Sequence, residues 1–344
     1  MPIYRLTCAH GLEQLLSDEL DELGFEQARA RAGSVLVEAQ IEQLPVLHRS
    51  RLASRVWSIL AQGLPGHEPE MIEAAGSVEW STYRYPGDPL SVVVSGGRFD
   101  NQEALRQAID AEAAEGEGST LLKLRFGVDW VGLELDCSGA DMHERGYRLD
   151  AHSAPLDENY AVACLRAAQW SVGEPLYDPC CGPGAFVIEA ALMGRRSSRL
   201  RPWRFEHWPK APEPIQKTKN SIPEGLLLAS DHAFAAYNAC RDHAQRAGVL
   251  NRLKLHRKAF EDMDLSSLPS RGLVTAHPPY DATIRGDVVR RLLARFHGTL
   301  RGWRLALLLP EDYGCPHGNL VNALSFMHAG RRVVLWVGTP KDPT

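Results

Sequence analysis

The stretch YDPCCGPGAFVIEAALMGRR, residues 177–196, constrains the fold more than any other part of the chain. An apolar run closes on an aspartate, a short glycine loop follows, and a helix-forming run opens at once. That order is the first unit of an α/β sheet in which ligands sit beyond the carboxyl ends of parallel strands. Downstream, PLYDP, GAFVIEAALMG, GLLLASD, AAYNACRDHAQRAG, LKLHRKA, GLVTAHPP, VVRRLLARFHGTL, WRLALLLP and RRVVLWVG alternate strand and helix patterns. Apolar strands in such an alternation predict a largely parallel sheet covered on both faces.

Ahead of this zone lie two smaller ones. PIYRLT reads as a strand and the following run as an amphipathic helix with Leu12, Leu15, Leu16, Leu20 and Leu23 on one face. SVLVEA, QIEQLPVLHRS and RLASRVWSILAQ continue as strand, helix and strand, a small α+β module over 1–64. From 65 to 145, LSVVVSG, TLLKLRF and WVGLELDCSG read as strands, with NQEALRQAIDAEAAE as a helix between the first two. GADMHERGYRLDAHSAPLDE, rich in charge and turn formers, is the expected boundary before a third domain over 150–344.

A chain of 344 residues suits two or three domains, and 44% hydrophobic with 24% charged residues is the composition of a globular protein. No run of about 18 apolar residues occurs, and the N-terminus lacks the basic, apolar and small-residue order of a signal peptide, so a cytoplasmic location off the membrane is expected. Seven scattered cysteines, none spaced as CxxC, signal neither a disulfide framework nor a metal site. The net charge of −5 excludes coating of nucleic acid by bulk charge but allows local basic surfaces. One is GRRSSRLRPWRFEHWPK, 194–210, where Arg195, Arg196, Arg199, Arg201 and Arg204 alternate with Trp203, Phe205 and Trp208. Arginine forks suit phosphates and aromatic rings stack on bases; the alternative is a loop whose aromatics pin it to the core.

In the glycine loop, Asp178 ends the strand and Gly182 and Gly184 let the backbone pass close to a ligand. A dinucleotide site would require GxGxxG, but Val187 occupies the third glycine's place. The second strand ends instead in Asp231. One carboxylate before a GxG turn and another at the end of the next strand match the way S-adenosylmethionine is held. HPPY, 277–280, follows the fourth strand. Two prolines stop the ladder and leave carbonyls able to accept hydrogen bonds from an exocyclic amine, while Tyr280 can stack on a base.

DPCCGPGAFVIEAAL followed by HPPY resembles the D-P-x-C-G-x-G-x-x-x-I-E-A-A and N-P-P-Y signature of bacterial 23S rRNA guanine-N2 methyltransferases with N-terminal ferredoxin-like and THUMP regions. HGLEQLLSDELDELG, RSRLASRVW, LDCSGADMHERGYR and RPWRFEHW extend the resemblance along nearly the whole chain. It implies a Rossmann-like class I methyltransferase domain behind a ferredoxin-like module and a shortened THUMP-like RNA-binding domain. It further implies S-adenosylmethionine as cofactor, a guanine of 23S rRNA or a ribosomal precursor as substrate, and extrusion of that base into the site.

Carried over by position, Asp178, Gly182 and Gly184 line the methionine side of the donor and Asp231 its ribose, with Cys180, His232 and Phe260 completing the donor site. His277, Pro278, Pro279 and Tyr280 hold the guanine, and Arg195, Arg196, Arg199, Arg201, Arg204 and Trp203 contact RNA. The reaction expected is direct displacement, needing alignment and exclusion of water rather than a metal or a covalent intermediate.

The chain departs from the family pattern at Pro183 and Ala185, usually Ser and Thr, at Asp157, usually basic, at Ala259, usually Asp, and at His277, usually Asn. These departures make a catalytically degenerate RNA-binding or ribosome-assembly relative the alternative function. Methyltransferases acting on DNA adenine or protein glutamine share the N-P-P-Y logic, and the THUMP-like zone counts against them. Two behaviours are expected at the site: an acid limb near the ordinary histidine pKa of about 6.5 from His277, and little role for Asp231 in the stability of the empty protein.

Overall fold

The structure is a computed structural model of the 344-residue chain. It describes residues 1–65, 67–110, 112–113, 120–128, 130–148, 156–193, 202–214, 225–279 and 282–340. The strands are β1 (Ile3–Thr7), β2 (Arg29–Arg31), β3 (Ser34–Glu38), β4 (Arg55–Leu64), β5 (Pro89–Ser95), β6 (Glu112–Ala113), β7 (Thr120–Phe126), β8 (Val131–Asp136), β9 (Leu176–Asp178), β10 (Leu227–Ser230), β11 (Leu253–His256), β12 (Leu273–Ala276), β13 (Arg304–Pro310), β14 (Val321–His328) and β15 (Arg331–Gly338). The helices are α1 (Glu13–Glu22), α2 (Leu44–Leu47), α3 (Glu68–Gly76), α4 (Gln102–Ile109), α5 (Glu158–Ala167), α6 (Ala185–Met193), α7 (Phe234–Arg246) and α8 (Ala282–Gly298).

Two compact units emerge, the first of residues 1–8, 16–142 and the segment around 202–214, the second of residues 9–15, 143–193 and 225 onward. The first contains an eight-stranded sheet of order β2-β3-β1-β4-β8-β7-β5-β6. β4 pairs antiparallel with β8 from Trp57↔Asp136 to Leu64↔Val131, so the zones before and after residue 65 share one sheet. Alternation places Tyr4, Leu6, Val35, Val37 and Val56 in its core. Arg5, on the opposite parity in β1, meets Glu134 of β8 at 2.8 Å, a buried pair of opposite charges. The helix expected over NQEALRQAIDAEAAE is shorter than its pattern: α4 ends at Ile109, because Asp110 turns left-handed at φ 54° and Glu112–Ala113 joins β5 as a strand.

The second unit carries a seven-stranded sheet of order β11-β10-β9-β12-β13-β15-β14. β9 to β13 run parallel, and the β14–β15 hairpin closes one edge antiparallel. The strand order reverses on either side of β9, which puts Asp178 at the topological switch where such sheets bind ligands. Val274, Ala276, Leu305, Leu307 and Leu309 pack with Trp303 and Leu292 beneath one face. α6 is apolar almost throughout and buried from Ala185 to Leu192, including Glu189.

HERGYR, expected as part of a linker, is a packed element of this unit. Arg145 lies 3.6 Å from Glu189 and Arg148 lies 3.5 Å from Glu158. The Tyr147 hydroxyl donates to Glu189 (3.1 Å), while Arg246 of α7 donates to the Tyr147 carbonyl (2.7 Å). Buried carboxylates need partners of this kind, and the arginines supply them for the two helices, α5 and α6, that pack together beside β9. Burial nevertheless pushes the Glu158 carboxyl up to about 7.

Candidate active site

At the end of β9 the chain turns through Pro179–Gly184 into α6, and the turn is fixed from three sides. From β10, the Ser230 carbonyl accepts the Cys181 N–H (3.1 Å) and Asp231 accepts the Gly182 N–H (3.0 Å). The Ser230 hydroxyl donates to the Pro179 carbonyl (3.3 Å) and is itself met by the Tyr177 hydroxyl (3.0 Å). From α7, the His243 Nδ1–H faces the Pro183 carbonyl at 3.1 Å, which fixes the ring's proton on that nitrogen.

The glycines have separate reasons. Gly182 adopts φ +52° with open space around its Cα, so it is conformation that selects glycine there. Gly184 combines φ +93° with contact: a Cβ would stand 2.6 Å from Cys240 Sγ. Ser230, Cys240 and His243 were not foreseen from the sequence. Ser230 is hidden in an apolar run, but Cys240 and His243 are three apart on one helix face, a spacing that could have flagged the pair.

Asp178 is 2% exposed and accepts the Cys180 N–H at 3.2 Å. Burial, opposed only by that one hydrogen bond and reinforced by the charge of Asp231, pushes its carboxyl up to about 8. Asp231 is half-buried and binds two backbone groups, the N–H of Gly182 and that of Ala233 (2.9 Å). It therefore ties the glycine turn to the start of α7, which corrects the expectation that it matters little to the empty protein. Cys180 is partly buried, and His232 is exposed beside Asp231. Phe260 is buried, with the Arg291 guanidinium 5.6 Å from its ring centre. Ala259, just before it, offers no side-chain acceptor.

β12 lies on the other side of β9, so His277 and Pro278 follow a strand adjacent to the one that ends in Asp178. The His277 Nε2 is closed off from solvent and the ring stands edge-on to His328 of β14 at 5.6 Å. Behind it Tyr160 of α5 stacks on Phe326 at 4.7 Å and meets His328 edge-on at 5.6 Å. Burial first, and the neighbouring His328 second, hold the His277 pKa down at about 3. The expected acid limb near the ordinary histidine pKa is therefore corrected: the ring stays neutral across the physiological range. Pro278 is buried and Pro279 exposed, and Tyr280 lies outside the described residues.

Of the basic-aromatic segment, Arg195, Arg196, Arg199 and Arg201 also lie outside the described residues. The described remainder groups with the first unit. Trp203 and Phe205 stand 4.5 and 4.7 Å from the His48 ring, and Trp208 meets Tyr83 edge-on at 5.0 Å. The half-buried Arg204 lies near enough to Asp136 to offset part of the rise that burial imposes on that carboxyl.

A parallel sheet whose switch-point strand ends in a buried acid, with a glycine turn held by the acid of the next strand and a Pro-Pro turn one strand over, defines a class I methyltransferase fold. Residues 145–303 match the family described as RMKL-like, methyltransferase domain, and residues 5–57 match the RlmL ferredoxin-like domain. The chain thus carries an RMKL-like methyltransferase domain behind an RlmL ferredoxin-like domain.

The ribosomal RNA large subunit methyltransferase K/L of Ectopseudomonas mendocina is 30% identical over 346 residues, covering 88% of this chain and 47% of the relative. The chain spans about half the length of the curated relatives it matches. Among solved structures, a possible methylase from Clostridium difficile 630 superposes with a TM-score of 0.80 at 20% identity, covering 100% of this chain and 99% of the other. SMU.472, a putative methyltransferase complexed with SAH, gives 0.78 at 20% identity over 100% of this chain and 99% of its own.

Proposed function

We propose that this chain transfers a methyl group from S-adenosylmethionine to the exocyclic N2 of a guanine in 23S rRNA. The observation that carries the proposal is the position of three groups at the carboxyl ends of adjacent parallel strands: Asp178 on β9, Asp231 on β10 and the His277–Pro278 turn on β12. The two matched domains and relatives named ribosomal RNA large subunit methyltransferase K/L support it.

When bound, the sulfonium supplies the methyl group and the leaving group together, so the protein's task is placement. Asp178 and the turn at Gly182–Gly184 would face the methionine part. Asp231 uses one lone pair on each oxygen for the Gly182 and Ala233 N–H groups and keeps others for ribose hydroxyls. Phe260 offers an apolar wall for the adenine. On the substrate side, backbone carbonyls of the 277–279 turn would take the amine hydrogens, which favours a pyramidal nitrogen with its lone pair available. The THUMP-like zone over 65–145 would hold folded RNA, and the protein would act in the cytoplasm.

Calorimetric titration with S-adenosylmethionine, followed by methyl transfer to unmodified 23S rRNA with mapping of the product nucleoside, tests the proposal. Micromolar binding, about 8 kcal/mol, and N2-methylguanine as product are expected. A second function is favoured by Ala259, which leaves the adenine side without the usual carboxylate. Should the donor fail to bind while RNA binding persists, the chain is a degenerate RNA-binding or ribosome-assembly relative.

A further inference from the structure

The outer edge of the second unit's sheet carries a feature that the donor site does not use. β11 is the last strand on that side, with Lys254 and His256 exposed on one parity and Arg257 and Lys258 exposed immediately after it. Beside them Phe234, the first residue of α7, is 64% exposed. The Arg257 guanidinium lies 5.5 Å from the Phe234 ring centre. Among the described residues no carboxylate forms an ion pair with Lys254, Arg257 or Lys258; Lys258 only lies near enough to the exposed Asp264 to help lower its pKa.

A lone edge lysine is accounted for by protection of the strand from pairing with other chains. That reason does not extend to an exposed phenylalanine held against a guanidinium with a further cation two residues from the strand's end. In a chain of net charge −5, an exposed aromatic ring with one guanidinium against it and two exposed lysines on the same short segment is complementary to a phosphate backbone with a base to stack.

The position strengthens this. The Asp231 N–H donates to the His256 carbonyl at 3.2 Å, so the patch borders the donor site. It lies three strand spacings from β12, about 14 Å at the usual distance between neighbouring strands. A strand with its target base at the 277–279 turn can reach it within a few nucleotides.

We propose that Phe234, His256, Arg257 and Lys258 form a contact surface for single-stranded RNA flanking the target base. Phe234 stacks on one base, and Arg257 and Lys258 neutralise phosphates on either side of it. This deepens the RNA reading above and rests on it.

The test is equilibrium binding of a fluorescein-labelled uridine 20-mer between 50 and 300 mM salt, alongside calorimetric titration of each protein with S-adenosylmethionine. The double variant Arg257→Gln, Lys258→Gln should bind the RNA more weakly and lower the slope of log affinity against log salt by about 1.4, two phosphates at about 0.7 each. Phe234→Ala should weaken binding about 5- to 160-fold at unchanged slope, since stacking releases no counterion. Donor affinity should stay at the parent's value in both.

An unchanged salt slope in the double variant, or a parent that does not bind the 20-mer, overturns the proposal. So does a loss confined to donor affinity, which would make the patch a wall of the donor pocket. A parent that binds no donor but shows both RNA effects leaves this surface standing and removes the methyl-transfer function instead.

Discussion

Asp178 offers the sharpest test of the donor site, because its protonation state must change if the site works as proposed. Its carboxyl, pushed up to about 8, is about nine-tenths neutral at pH 7. A donor bearing a sulfonium and an ammonium beside it favours the carboxylate, and ionising the group at pH 7 costs about 1.4 kcal/mol. Binding should therefore release about 0.9 proton at pH 7 and about 0.2 at pH 8.5, and affinity should rise about eightfold between those values. Titration in phosphate and in Tris, whose ionisation enthalpies differ, reads the proton count directly.

Asp178→Asn should remove the linkage and leave affinity flat with pH. In the empty protein the folded pKa lies above the unfolded value of 3.8, so the stabilisation is complete below that value and is lost as pH rises through about 8. Asp178→Asn should therefore gain melting temperature relative to the parent progressively from pH 4 to 8 and level off beyond. Equal proton release by mutant and parent, or none by the parent at pH 7, would refute the placement of this carboxyl against the donor.

Asp231→Ala should lose on the order of 2–3 kcal/mol of donor affinity and also lower the melting temperature of the empty protein, since it frees the N–H groups of Gly182 and Ala233; an unchanged melting curve contradicts the tie described here. Gly184→Ala should destabilise by a few kcal/mol through its left-handed φ and the clash with Cys240, and adding Cys240→Ala should restore part of the loss in denaturant titrations; no recovery would mean that φ alone sets the cost. For His277, whose folded pKa of about 3 lies below the unfolded value of 6.5, the stabilisation is present above 6.5 and lost as pH falls toward 3. His277→Asn should flatten the decline of melting temperature between pH 6.5 and 4, and methyl transfer by the parent should show no acid limb from this ring between pH 6 and 8. Parallel melting profiles for the two proteins would place the ring elsewhere.

How far the sequence carries is visible in particular elements. β9, β10, β12 and β13 were legible because parallel, doubly covered strands are continuous apolar runs ended by Asp178, Asp231 and the prolines. β14, VNALSFMH, was not: an edge strand with Val321 and Met327 turned outward mixes its pattern, and only pairing with β15 makes it a strand. HERGYR looked like a linker because four of its six residues are charged or polar. Its burial depends on Glu158 and Glu189, which lie in the following helices and are themselves buried there, and no pattern within the segment encodes that. The donor-site positions were legible as a motif, but the forces on them were not. That Asp231 bonds Gly182 and that His243 holds Pro183 are properties of packed neighbours, as are the opposite pKa shifts of Asp178 and His277.

Those two shifts share their largest cause and have one consequence. Burial penalises whichever form is charged, so it raises the acid Asp178 and depresses the base His277, and both stand neutral at pH 7 before any ligand arrives. An asparagine in the HPPY turn would be neutral at every pH. A histidine serves in its place only if something keeps its proton off, and the apolar stack of Tyr160 and Phe326 around His328 supplies that environment. A protonated ring would put a positive charge beside a cationic donor. The departure at His277 is therefore compatible with methyl transfer through its packing, and the residues on which that compatibility depends are Tyr160, Phe326 and His328 rather than the turn itself.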